Sequence, residues 1–286
     1  MATKKKSAWA KFPHDQKPFE FAGDKLKKAW PGLHAGDCEP FPDAKRAAAL
    51  LKAAGKAAPK GIDADALAES LQDAWRAFHR GDFQQAFEAG AALGPVGASV
   101  ATRAIGIHAT YLVDDADEQL ARYQQAGELA EAAVAALPGE ANSHYRLAFA
   151  LGRYSQGISI AKALKLGLAT KVRKALDRTL ELAPKHAEAH TALAVYHAEI
   201  IAKVGGLIGG MTYGAKTAEA EKHIAQALKL TPASPIAHVE QANVLLLLHG
   251  DKREDDAAAA FEKAGRLEPR DAMEKLDADY AKAQLE

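Results

Sequence analysis

Eleven histidines, one cysteine and several acidic runs are the residues of this chain best suited to chemistry. His144, His190 and His238 hold the same slot in three related segments, SHYRLAFAL, AHTALAVYH and AHVEQANVL. Packed helix axes lie about 8 to 10 Å apart and a zinc–nitrogen bond is about 2.1 Å, so equivalent residues of successive helical units cannot share one ion. His186 and His190 are four apart, but Pro184 sets His186 at or before a helix start. No metal is expected, and the recurrent histidines read as helix-pair packing residues.

Other reactive types lead no further. Cys38 lies between Asp37 and Glu39, whose charges raise a thiol's pKa and blunt its reactivity. Asp114, Asp115 and Asp117, and Glu254, Asp255 and Asp256, fall at predicted helix starts, where they complement the helix dipole. GGMTYGAKT (209–217) nearly spells a phosphate loop, but Ala215 separates Gly214 from Lys216 and the preceding segment reads as helix rather than strand. It is expected to be a glycine-rich turn. KALKLGLATKVRK (162–174) gathers Lys162, Lys165, Lys171, Arg173 and Lys174 in an apolar stretch; it reads as a solvated face, with contact to phosphate or an acidic peptide as the alternative. No nucleophile, base and orienting group converge, so the chain is not expected to be an enzyme or to carry a cofactor.

The elements that hold these residues are helical. Of 286 residues 66 are Ala, against 10 Ile, 9 Val and 9 Thr, which favours helix and nearly excludes a sheet protein. Lys plus Arg and Asp plus Glu both number 37, so no bulk charge draws the chain to nucleic acid or an anionic surface. The single cysteine cannot form an internal disulfide. Lys4, Lys5 and Lys6 are not followed by the apolar run of an export signal, and neither IIAKVGGLIGGM (200–211) nor VLLLLH (244–249) is long enough for a membrane span. A soluble, cytoplasmic protein is expected.

Self-comparison reveals repeats. Ala29, Trp30, Leu33, His34, Gly36 and Asp37 recur 45 residues later as Ala74, Trp75, Phe78, His79, Gly81 and Asp82. Prolines 138, 184, 232 and 269 each follow an apolar helical pattern, at steps of 46, 48 and 37 residues. In VRKALDRTLELAP, Val172, Leu176 and Leu180 share a face with the small Ala175 and Thr179, and AEAEKHIAQALKLTP repeats the pattern. Such pairs cannot bury their stripes alone and must stack.

The arrangement resembles the tetratricopeptide repeat (TPR) family, with its 34-residue unit of two helices. Ala74, Gly81, Asp82, Phe83, Ala86 and Leu93 match one unit, Ala148, Leu176, Thr179 and Pro184 another. Ala194, Ala220, Ile224, Ala227 and Pro232 fit a third, and Ala242, Ala257, Phe261, Ala264 and Pro269 a fourth. The likeness covers roughly 67–269 and more loosely 24–66. Two units are lengthened, by insertions at about 152–170 and 199–217, and such consecutive long units resemble the microtubule-dynamics regulator family and periplasmic transporter-associated TPR proteins. The unit at 100–138 has lost most of its motif, and Pro31 would kink or restart a first helix.

The resemblance implies an all-α, right-handed α-solenoid of roughly five to six helical pairs over 43–286, with a C-terminal capping helix at about 271–285. Residues 1–42, rich in aromatics and proline, are expected to form an irregular arm covering the solenoid's end. By resemblance, the concave groove holds Asn142, Tyr145, Phe149 and Arg153, then Glu188, Thr191, Val195 and Glu199, then Val239, Asn243 and Leu246. Tyr145, Phe149 and Arg153, four apart, form one stripe of types frequent in binding hot spots. The first expectation is a non-enzymatic scaffold binding a peptide or helix of a partner protein, with a second copy of the chain also a candidate. The alternative is a small-molecule or lipid-binding protein whose pocket is roofed by the insertions, with Val204, Leu207, Ile208 and Met211 touching ligand.

Overall fold

Asp63 accepts a hydrogen bond from the Ala66 amide and so starts a helix whose Leu67, Leu71, Ala74, Trp75 and Phe78 all turn inward. The helix ends at Gly81, whose φ of +92° belongs to the left-handed region. A side chain there would also strike the Phe12 ring, so glycine is required twice over. The same logic of cap, apolar stripe and stop recurs along the computed structural model, which describes residues 9–286; the Lys4–Lys6 run lies outside the described residues.

No strand occurs among the described residues. Two helices, α1 (Lys25–Leu33) and α2 (Ala44–Ala54), lead into the first pair, α3 (Ala64–Arg80) and α4 (Phe83–Ala92). The second pair is α5 (Ala98–Leu112) and α6 (Ala116–Ala136). Two three-helix units follow: α7 (Ala141–Gln156), the short α8 (Ile160–Lys165) and α9 (Leu168–Leu182), then α10 (Ala187–Val204), the short α11 (Gly206–Tyr213) and α12 (Thr217–Leu230). α13 (Pro235–His249) and α14 (Glu254–Arg266) complete the series before α15 (Ala272–Ala283). The paired long helices pack on their mates and on the neighbouring units, which makes the chain a TPR-like helical solenoid. The short α8 and α11 lie between the paired helices of these two units, within 152–170 and 199–217.

Helix termini follow the sequence. Asp115 caps α6 through the Glu118 amide with Asp117 in the first turn, and Glu254, Asp255 and Asp256 form the first turn of α14. The histidines of the repeated slot act alike. His144 bonds the Pro138 carbonyl at 2.9 Å, His190 that of Pro184 at 3.2 Å and His238 that of Pro232 at 2.9 Å. Each ring thus ties the first turn of its helix to the loop that precedes it. The degenerate unit at 100–138 also has a physical cause. α5 buries 11 of its 15 residues, and a helix enclosed on all sides needs no amphipathic stripe for the repeat motif to preserve.

The arm departs from the irregular cover expected of it. α1 runs through Pro31 and stops two residues later, with the proline in its last turn, where one lost backbone bond does least harm. Phe12, Phe19, Leu26, Trp30 and Leu33 join a single apolar core with Trp75, Phe78 and Val100, and Met273 and Leu276 of α15 enter the same core. α15 also contacts α3, and the Arg270 guanidinium donates to the Gly32 carbonyl at 2.6 Å. The last helix therefore meets the first segment, and the two ends of the described chain share one core.

Gly81→Ala should destabilise the protein by about 1 to 3 kcal/mol in urea unfolding, because the left-handed φ and the Phe12 contact both oppose a methyl group. Gly139→Ala, in a turn with open space around it, should change stability by less than about 0.5 kcal/mol.

Candidate functional site

The two copies of the Ala-Trp/His-Gly-Asp motif fold against each other. Trp30 and Trp75 meet edge to face, and the buried His34 and His79 rings place their Nε2 atoms 3.2 Å apart. Each ring is held from behind: His34 Nδ1 lies 2.9 Å from Asp37 and His79 Nδ1 lies 2.7 Å from Asp271. The Nε2 contact is a hydrogen bond only with a proton between the rings. Burial lowers the His34 pKa to about 4. Asp271 also caps α15 through the Glu274 amide, so this chain of four side chains joins the arm, α3 and α15.

Asp37 carries more than one ring. Its second oxygen takes the guanidinium of Arg103 on α5 and that of Arg146 on α7, the latter at 2.5 Å. Burial by itself would raise this carboxyl, but Arg103, His34 and Arg146 together hold it well below the usual range. Arg103 continues to Glu188 on α10 at 2.9 Å. Asn142 donates to the Asp37 carbonyl at 3.0 Å and to Glu39 at 2.8 Å, while His186 donates to its side-chain oxygen at 3.0 Å and accepts the Ala189 amide. The Glu188 amide donates to the Gly36 carbonyl. Two groove positions, Asn142 and Glu188, are thereby occupied by the chain's own arm, and Val239 is buried in the core.

The rest of the concave face is a cavity of about 400 Å³. Phe149 of α7, Val172 of α9, and Thr191 and Val195 of α10 line it, with Ile160 and Leu164 of α8 at one side and Val204 at the α10 end near α11. Its inner end holds Tyr145, Tyr111 and Asp277. Tyr145 is buried against His186, and the Tyr111 hydroxyl donates to Asp277 at 2.5 Å. Burial pushes Asp277 well above the usual carboxylate range. Arg153 lies over the Phe149 ring and begins a polar strip linking three units. It reaches Glu240 and Gln156, each at 3.3 Å; Glu240 accepts from Asn243, and Gln156 donates to Glu199, which also pairs with Lys203.

Most groove residues expected from the sequence thus meet around one space: Tyr145, Phe149, Arg153, Thr191, Val195 and Glu199 line it, and Asn243 braces its strip from outside the lining. Asn142 belongs to the buried arm contact instead. Of the insertion residues, Val204 lines the cavity, whereas Leu207, Ile208 and Met211 point to solvent at 78%, 57% and 83% exposure. In GGMTYGAKT the amides of Gly209, Gly214 and Ala215 are spent on helical and turn bonds, so no phosphate cradle forms. Cys38 is exposed with φ +52°; burial, Asp37 and Glu188 raise its pKa, so Glu188 takes the part expected of Glu39. Sequence reasoning missed Arg103, Arg146 and Asp271. The twin motif was the available signal, since its two histidines bond each other.

Similarity to known proteins agrees with this geometry. Residues 100–205, which span α5 to the end of α10, match the family model described as regulator of microtubule dynamics protein 1-3. The fold is similar to the crystal structure of a thermophilic TPR protein of Thermus thermophilus, at a TM-score of 0.53 and 17% identity, over 75% of this chain and 98% of that one. No curated protein matches the chain. The matched segment contains the cavity's central walls. No described helix is long and apolar enough to cross a membrane.

Acid should loosen this protein early. Burial lowers His34, His108, His197 and His223 from 6.5 to about 4 and His186 to about 3. Between pH 6.5 and about 4 the unfolded chain binds more protons than the native one, so the stabilisation is full above pH 6.5 and is lost as pH falls. The melting temperature should hold level between pH 8 and 7 and drop steeply between pH 6 and 4.5. A flat profile through that window would mean that these rings are not buried as neutral groups.

Proposed function

We propose that this chain is a non-catalytic binding scaffold whose concave face takes an apolar chain, the tail of a small amphiphile or lipid, in place of an extended peptide. One observation carries the reading. The arm and α15 cover part of the inner face, and what remains is a half-open space of about 400 Å³ with a mainly aliphatic and aromatic wall. Pockets of roughly 300 to 1,000 Å³ with few polar groups are typical of small-molecule sites. Arg153 at the rim, paired only at 3.3 Å, suits the polar end of such a ligand. The free cysteine fits a reducing compartment such as the cytoplasm.

A second reading is favoured by the rim strip. Its Arg153, Gln156, Glu199 and Lys203 present donors and acceptors side by side, as a groove for a partner's helix end would, with an apolar side chain of that partner in the cavity. The TPR-like fold supports protein binding in general terms.

The test fills the cavity. Val195 is half-buried in the lining, so Val195→Trp occupies the space with little change elsewhere. Wild-type protein should bind a fluorescent alkyl probe and give native mass spectra with a small bound molecule. A ligand at about 100 times its Kd should stabilise the fold by roughly 2.7 kcal/mol. The folded variant should lose all three properties. Undiminished probe binding by Val195→Trp would place the site elsewhere, and a partner protein captured by the wild type alone, with no bound small molecule, would favour the second reading.

A further inference from the structure

The two short helices α8 and α11 expose an apolar surface that extends beyond the cavity lining. α8 and the turn after it show Ile160, Leu164 and Leu166 at 50%, 54% and 41% exposure, and α11 shows Leu207, Ile208 and Met211 more openly still. Ile160 and Leu164 also line the cavity, and α11 follows directly on the lining residue Val204, so both helices stand at one mouth. Gly205 and Gly214, at φ +81° and +65°, bracket α11 and let its apolar tip project as a short hairpin.

Charge says what this surface meets. Residues 157–174 contain four lysines, one arginine and no acid, and residues 200–218 contain two lysines and no acid, in a chain whose net charge is zero. Lys203 is paired with Glu199 and Arg173 with Asp177. Lys162, Lys165, Lys171, Lys174 and Lys216 are exposed and have no carboxylate partner among the described residues. Projecting apolar tips with unpaired lysines beside them match the boundary of a bilayer, where side chains enter the acyl region and lysines meet anionic headgroups. A protein groove would call for hydrogen-bonding groups among the apolar ones, and α11 (GLIGGMTY) offers almost none.

We infer that α8 and α11 dock this protein on an anionic lipid surface, with the cavity mouth turned toward the bilayer. The surface argument is independent of what the cavity holds; the orientation rests on the proposed function, because an apolar ligand would then pass between cavity and membrane without crossing water.

Vesicle sedimentation tests the inference. Full-length protein should bind phosphatidylcholine vesicles containing phosphatidylserine and not phosphatidylcholine alone, and binding should weaken as salt rises. Lys162→Glu with Lys165→Glu, and separately Leu207→Ser with Met211→Ser, should each reduce partition by more than about tenfold. These side chains are exposed, so both variants should keep the wild-type melting temperature. No sedimentation of the wild type at low salt, or equal sedimentation of the variants, would overturn the inference. A concentration-dependent dimer abolished by Leu207→Ser with Met211→Ser would also overturn it, by showing that a second copy covers the tips. These surface variants should still bind the alkyl probe in solution, and Val195→Trp should still bind vesicles, so the failure of either proposal is separable from the failure of the other.

Discussion

A carboxylate with no exposed surface must be paired or the fold cannot hold it, and Asp37 is such a carboxylate. It sits where the arm crosses the solenoid and is satisfied only when α5 supplies Arg103, α7 supplies Arg146 and the arm supplies His34. Those two arginines are buried in turn, and without Asp37 and Glu188 they would be the uncompensated charges. Removing one partner of such a set typically costs about 3 to 5 kcal/mol, well above the worth of the pair itself. The arm is thus an obligatory part of the fold, and the helical units on either side of it are held at fixed separation.

That constraint decides what the concave face can bind. An open TPR-like solenoid offers its whole inner surface to a partner, whereas here Asn142 and Glu188 already bond the arm. The His34–His79 contact and Asp271 then bring α15 onto the same side. What stays open is the part next to the two inserted helices, and the polar strip from Asn243 to Lys203 sets its rim. Closure at one end and insertion at the other convert a groove into a cavity.

The repeat architecture was legible because a period of prolines and small residues survives however degenerate each unit becomes. The surplus length between two such prolines, where α8 and α11 lie, was legible for the same reason. The shared slot of His144, His190 and His238 was visible, and its role, a bond to the proline carbonyl six residues before, needed coordinates. The stripe of Tyr145, Phe149 and Arg153 was readable from its spacing of four. The contact between the two ends was not. Asp37 looked like a neighbour of Cys38, since nothing local shows that Arg103 and Arg146, 66 and 109 residues away, converge on it. A buried ion network is assembled from positions that are silent one at a time, and amphipathic periodicity carries no information about it.

The same contrast separates the rigid and compliant parts of the site. The closed end is tied by buried ionic contacts that lose much if any one is broken. α8 has six residues and α11 eight, too short to be stable helices alone, and α11 contains three glycines. Their positions therefore depend on what lies beneath and above them rather than on their own backbone preference. Among the polar contacts that tie them to the rest of the chain, Lys162 lies over the Tyr154 ring and the Tyr196 hydroxyl donates to the Tyr213 backbone carbonyl at 3.4 Å. A cavity whose floor is fixed by charge and whose walls end in two short apolar helices is therefore least constrained at those helices.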